Sequence, residues 1–248
     1  MLTGTQVKNQ QPAADHRFFT IMVLAALVVV FAGFATSYYL WPITRATHLA
    51  NGLPIPPSFP LVVHVHAVAF SAWMLVFVAQ VRLVALGRTA LHRRVGVVTA
   101  CLVPILVAAG VMTAAQGARD GWNPFGVDPL SFMIVPFGDI VVFTALVTAG
   151  LFFRRRADVH KRLMLLATVG GLLPPAITRI PVLAGRPLPG FALFGALVIA
   201  LAARDFWRGS STRWLSLLIG IGILASVLMR PLIGMSAQWR AFAAWLVG

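Results

Sequence analysis

The sequence predicts an all-α polytopic membrane protein, a bundle of seven transmembrane helices. Three observations predict it. Of 248 residues, 59% are hydrophobic and 10% charged, whereas a soluble domain carries about 25% charged residues. The apolar residues gather in seven long runs, and a helix needs about 20 such residues to cross a bilayer. Arg and Lys cluster at alternate junctions between the runs, as they do when one side of the membrane retains the cations.

Taken in order, residues 1–17 are polar and read as a loose N-terminal tail. The run 18–41 could pass for a secretory leader with Gly33 and Ala35 at a cleavage point. It is longer than the about 7–15 apolar residues of such a leader, so it reads as the first span. The second, 61–84, carries His64, His66, Trp73 and Gln80. Its last three polar or aromatic positions recur every seven residues and share a helix face. The third, 95–115, holds the single cysteine, Cys101, which has no intrachain partner and reads as a small buried hydrophobe. The fourth, 131–153, contains Asp139.

The fifth span, 163–184, includes Gly170, Gly171, Pro174 and Pro175. That composition predicts a kinked or broken helix, tolerated in a membrane only where protein or water satisfies the backbone. The sixth, 190–206, is the shortest. The seventh, 214–232, has Ser216, Gly220, Gly222 and Ser226, small residues that let helices approach closely. Residues 18–235 then form one domain, and 236–248 a short interfacial segment. Turn formers fill two connections, Pro42 to Pro60 (with Pro54, Pro56 and Pro57) and Gly121 to Pro129. They read either as caps of an outward cavity or as ordinary links.

Sidedness follows from the cations. With the N-terminus inside, Lys8, Arg17, Arg82, Arg88, Arg93, Arg94, Arg154, Arg155, Arg156, Lys161, Arg162, Arg204, Arg208 and Arg213 lie inside, 14 of the 20. Arg45, Arg119, Arg179, Arg186, Arg230 and Arg240 remain outside, and the C-terminus emerges there. The net charge of +14 is explained by this bias, so nucleic acid is not an expected partner; the lipid bilayer is. All six acids are Asp. Without Glu, HExxH metalloprotease and EF-hand patterns are excluded.

Two groups of residues could carry chemistry. Asp139 is the only acid inside an apolar run, where a charge costs about 3 kcal/mol even on lenient insertion scales. Arg179 is its expected partner. Arg230 is a second buried-cation candidate, better placed to snorkel to headgroups. His66, Asp139 and Arg179 fall at similar depth and could bind an anion and move its proton. Tyr38, Tyr39, Trp73, Gln80 and Arg230 would complete that pocket. His64 and His66 could chelate a metal only if the helix start is irregular, because they stand roughly 200° apart.

The second group lies inside. Leu91-His-Arg-Arg-Val95 echoes Val159-His-Lys-Arg-Leu163, which puts His92 and His160 at equivalent helix starts 68 residues apart. Facing histidines on bundle helices hold haem b through axial imidazoles, with Arg93 and Arg162 for its propionates.

Tyr38-Tyr39-Leu40, His64-Val-His66 with Trp73 and Gln80, His92-Arg-Arg-Val-Gly96 and His160-Lys-Arg-Leu-Met-Leu-Leu-Ala167 form a series. It resembles a widespread group of uncharacterised bacterial polytopic inner-membrane proteins, over about residues 18–235. The resemblance implies the bacterial inner membrane and a helical bundle, and no activity. The chain is more weakly similar to transmembrane b-type cytochromes, which place histidines on four successive helices. Here the fourth run has Asp139 instead, so the resemblance implies one inner haem.

The leading expectation is therefore a redox protein with one haem b between His92 and His160 and an outward pocket for a quinone or small reductant. The alternative is a haem-free proton-coupled transporter or binding protein for an anionic solute. The third is a metal-dependent membrane hydrolase using His64, His66 and Asp139.

Overall fold

The computed structural model describes residues 4–50, 59–121, 126–183 and 186–248, and these form helices and connections with no strand. Prolines 54, 56 and 57 and residues 122–125 of the two turn-rich connections lie outside the described residues.

The helices are α1 (Gly4–Phe34), α2 (Trp41–Ala50), α3 (Leu61–Ala85), α4 (Thr89–Arg119), α5 (Pro129–Phe132), α6 (Ile134–Phe152), α7 (Ala157–Ile177), α8 (Pro187–Trp207), α9 (Arg213–Gly234) and α10 (Ala237–Val247). One π-helical turn, Ala35–Tyr39, closes α1. α1 begins well inside the segment predicted as a loose tail.

Among the described residues, six segments are long and apolar enough to cross a membrane: Asp15–Tyr39, Leu61–Ala85, Thr89–Arg119, Pro129–Phe152, Leu188–Trp207 and Arg213–Gly234. They answer to six of the seven predicted runs. The exception is α7. Its first turns carry Asp158, His160, Lys161 and Arg162, and Gly170, Gly171, Pro174 and Pro175 lower its apolar content further. α7 does not need an apolar surface, because 14 of its residues are buried. It is the central helix, packed against α1, α6, α8 and α9.

Burial of α7 depends on small residues. A Cβ on Gly33 of α1 would sit 2.1 Å from the Ala176 carbonyl oxygen. A Cβ on Gly171 would sit 2.6 Å from Cβ of Phe143 on α6. Where lipid tails are as apolar as the side chains, such close approach supplies the dispersion contacts that hold helices together. Around this axis Trp73, Met74, Phe143, Leu166 and Leu173 are fully buried. Leu75, Val97, Val98, Ile105, Leu218 and Leu228 are exposed on the outside of the bundle, a surface suited to lipid.

α10 is a docked helix. The Ser236 hydroxyl caps it by accepting from Trp239 N at 3.2 Å. Trp239 is buried beside Met133 and Ile134 and donates its Nε1–H to Leu130 O at 2.9 Å. Nearby, Asp128 caps α5 by accepting from the Ser131 amide and hydroxyl at 2.9 and 2.8 Å. Those two bonds favour the carboxylate and hold Asp128 below the usual aspartate range.

Candidate functional site

The bundle has two polar ends. At the end where α5, α10 and the C-terminal halves of α7 and α9 meet, a cavity of about 430 Å³ opens between α6, α7, α8 and α9. Its wall is mainly apolar, with Pro174, Pro175, Phe191, Phe194 and Val227. Four charged side chains reach it: Asp139, Arg179, Arg186 and Arg230.

Asp139 and Arg230 form its floor. Arg230 Nη1 donates to Asp139 Oδ1 at 2.6 Å and to Val135 O at 3.2 Å. Both side chains are about 95% buried, with 4% and 5% exposure. The guanidinium packs against Gly138, where a Cβ would be 2.7 Å from Arg230 Nε. Pro231, inside α9, follows Arg230 directly. Asp139 Oδ2 and Arg230 Nε and Nη2 are buried and make no hydrogen bond among the described residues. Unsatisfied buried polar atoms cost free energy, and both residues line the cavity.

This corrects the expected pairing. Arg230 does not snorkel; it is the partner of Asp139. Arg179 instead donates Nη1–H to Pro175 O at 2.6 Å, a carbonyl near its own helix end, and lies over the Phe34 ring at 5.1 Å. It still shares the cavity with Asp139, at the wall rather than the floor.

None of the other residues expected in this pocket lines the cavity, although His66 stands close enough to Arg179 for their charges to interact. Trp73 is in the core, with Nε1 donating to Thr168 Oγ1 at 3.4 Å and its ring 5.0 Å from Phe143. Tyr38 and His64 share a hydrogen bond of 2.8 Å beside Phe59, and Tyr39 bonds Ser71 at 2.6 Å. His66 faces the other way, against Phe70 at 4.4 Å and towards Gly110, with Nδ1 buried and unpartnered among the described residues. His64 and His66 therefore diverge, as their helical spacing requires. No group of three or more His, Cys, Asp or Glu able to hold a metal occurs among the described residues.

The opposite, arginine-rich end carries the histidine pair. The rings of His92 and His160 meet edge to face, with centroids 6.3 Å apart and planes at 77°. His160 Nδ1 lies 2.8 Å from the Gly150 carbonyl. A carbonyl only accepts, so Nδ1 carries the proton and Nε2 holds the lone pair. Gln80 addresses His92. In the amide orientation that satisfies both ends of the side chain, its oxygen accepts from Gly96 N at 2.9 Å, and its nitrogen donates to His92 O at 3.2 Å and to His92 Nδ1 at 2.8 Å. His92 then keeps its proton on Nε2.

Haem needs an Nε2 lone pair on both rings or an equivalent pair of donors. His160 fits that requirement, and His92 as Gln80 holds it does not. Nor does Arg162 face the histidines. It stands two residues from His160, on another side of α7, and forks onto Asp205 at 2.6 and 2.7 Å. Arg93 is exposed.

Sequence reasoning missed the ion-pair network at this end. Asp205, at the end of α8, is fully buried and also accepts from Ser216. Asp15 accepts from both Lys161 and Arg204. Asp205 was readable as an acid at a span terminus; its inward direction was not.

No family model, curated protein or solved structure matches the chain.

Proposed function

We propose that the protein is a proton-coupled membrane binding protein or transporter for an apolar-bodied anion, with the cavity at Asp139 and Arg230 as its site. In this reading the bundle crosses the bacterial inner membrane seven times, α7 included. The arginine-rich end is cytoplasmic and the cavity opens outward. One observation carries the proposal: a buried ion pair with unsatisfied donors and an unsatisfied acceptor lies at the floor of an apolar cavity whose wall holds two more arginines.

The chemistry follows from the pair. An entering carboxylate or similar anion accepts hydrogen bonds from Arg230, with Arg179 and Arg186 at the wall. Such charge-assisted bonds, bidentate for guanidinium, are the strong ones in a dry site. The anion would compete with Asp139 for Arg230. Two anions on one guanidinium repel, so Asp139 takes a proton from solvent as the ligand binds. The ligand's apolar body lies along Phe191, Phe194, Pro174 and Pro175. Binding thus couples one anion to one proton.

Purified protein tests this with dodecanoate against dodecanol, which has the same tail without the charge. Dodecanoate is expected to bind with uptake of about one proton, and dodecanol to bind weakly. Arg186→Gln at the exposed mouth should weaken dodecanoate about tenfold. Asp139→Asn should abolish the proton uptake. Equal binding of acid and alcohol, unaffected by either substitution, would overturn the proposal.

The electron-transfer reading rests on the His92–His160 contact and on the free Nε2 of His160. It requires the Gln80 amide to turn over and release His92. A Soret band that shifts on dithionite reduction and disappears in His160→Ala would favour it; colourless protein from haem-replete cells would remove it.

A further inference from the structure

We propose a second ligand site, at the arginine-rich end, that recognises a phosphate group. A cavity of about 410 Å³ there is lined only by polar and charged side chains, among them Lys161, Arg162, Arg204, Arg208, Asp15 and Asp158. It is separate from the Asp139 cavity, and no lining residue is shared.

The wall is built in advance. Arg162 is locked by its fork onto buried Asp205 and by Ser210 Oγ at 3.0 Å. Arg204 is held between Asp15 and the Phe18 ring, 4.5 Å from its centre. Lys161 shares Asp15 and lies over Phe19 at 5.0 Å. A guanidinium has five donors and an ammonium three, so each of these groups keeps donors after its carboxylate is served. Preorganised donors of this kind bind tetrahedral oxyanions without a further ordering cost.

The charge balance favours an anion. Lys161 and Arg204 share Asp15, and Arg204 also lies 3.6 Å from Asp205. Arg162 is matched by Asp205, behind the wall. Arg208 is exposed and makes no side-chain hydrogen bond or ion pair among the described residues. Arg17, Arg154, Arg155 and Arg156 surround this end and are exposed, adding to its positive field. With Asp158 also in the wall, four cations stand against the three carboxylates Asp15, Asp158 and Asp205, which leaves one cation uncovered and a field that draws anions towards it. A basic pocket between membrane helices, at headgroup depth on the cation-rich side, suits the phosphate of an anionic lipid. Free phosphate presents the same oxygens.

The experiment uses full-length protein in detergent with two probes. Inorganic phosphate is titrated by calorimetry against chloride at matched ionic strength. Separately, the protein is reconstituted in nanodiscs of phosphatidylcholine with phosphatidylglycerol and extracted. Mass spectrometry then measures retained phosphatidylglycerol. Arg208→Gln is the test variant, because Arg208 supports no pairing in the fold. Arg155→Gln is the control for diffuse surface charge. Binding of either probe, weakened about tenfold by Arg208→Gln and unchanged by Arg155→Gln, is the expected result. Retention of phosphatidylglycerol alone identifies a headgroup as the source; calorimetric binding of phosphate identifies the free anion. Failure of both probes to bind, or equal weakening by the two substitutions, would overturn the site.

Discussion

At the scale of single residues, Asp139 and Arg230 must be understood together. Either one alone would leave a charge stranded in the bundle. Removing one partner of a buried pair costs about 3–5 kcal/mol, whereas replacing both with apolar groups of similar volume is often neutral. Arg230→Met and Asp139→Leu should each lower the unfolding temperature sharply in detergent, and the double variant should recover most of the loss. Three equally unstable variants would show that the pair contributes packing only. Half of this site was legible beforehand. Asp139 is the one acid well inside an apolar run, Asp205 standing at the end of another, and that singles it out without any geometry. Its partner was not legible, because Arg179 and Arg230 both sit near the same end of their helices. The choice is made by Gly138, whose missing Cβ gives the guanidinium of Arg230 its place, while Arg179 finds a carbonyl and a ring on its own side. Trp73 and Gln80 share a seven-residue period that faces them inward, but a period cannot distinguish core from cavity. Both are core.

At the scale of elements, the contact between α1 and α7 determines whether the bundle closes. Gly33 brings α1 against the Ala176 backbone with no room for a methyl group. Gly222 on α9 has nothing within 4 Å of its would-be Cβ. Gly33→Ala should therefore cost about 1–3 kcal/mol as an overpacked contact, and Gly222→Ala should be neutral or slightly stabilising through helix propensity. Thermal unfolding of the two variants side by side checks this; equal losses would mean that α1 is held elsewhere. Most helices were readable from apolar runs, since lipid selects for them directly. α7 was found in the sequence by its length and its basic start, yet its composition falls short of a lipid-facing span. Helices around it take the place of lipid, so packing rather than hydropathy sets its sequence. The same reasoning accounts for α10, expected as a short interfacial segment, whose Trp239 docks against α5.

At the scale of the whole molecule, the distribution of charge and the placement of cavities make one argument. The apolar cavity with its buried pair and the polar cavity with its exposed arginine lie at opposite ends of the same central helix, α7. If seven helices cross, those ends face opposite compartments, and in the proposed orientation the arginine-rich end is the cytoplasmic one. The single cysteine makes this directly measurable. Cys101→Ala removes it, and Arg155→Cys and Arg186→Cys then place one thiol at each end, both at exposed positions. A membrane-impermeant maleimide added to intact spheroplasts should label Arg186→Cys at once and Arg155→Cys only after permeabilisation. Trp245→Cys, exposed on α10, should behave like Arg186→Cys. Reversed accessibility would invert the molecule and make the Asp139 cavity cytoplasmic. Labelling of Arg155→Cys and Arg186→Cys from the same side would mean that α7 does not cross. A proton-coupled anion site at Asp139 would then lack the two-sided geometry that transport needs, and binding alone would remain.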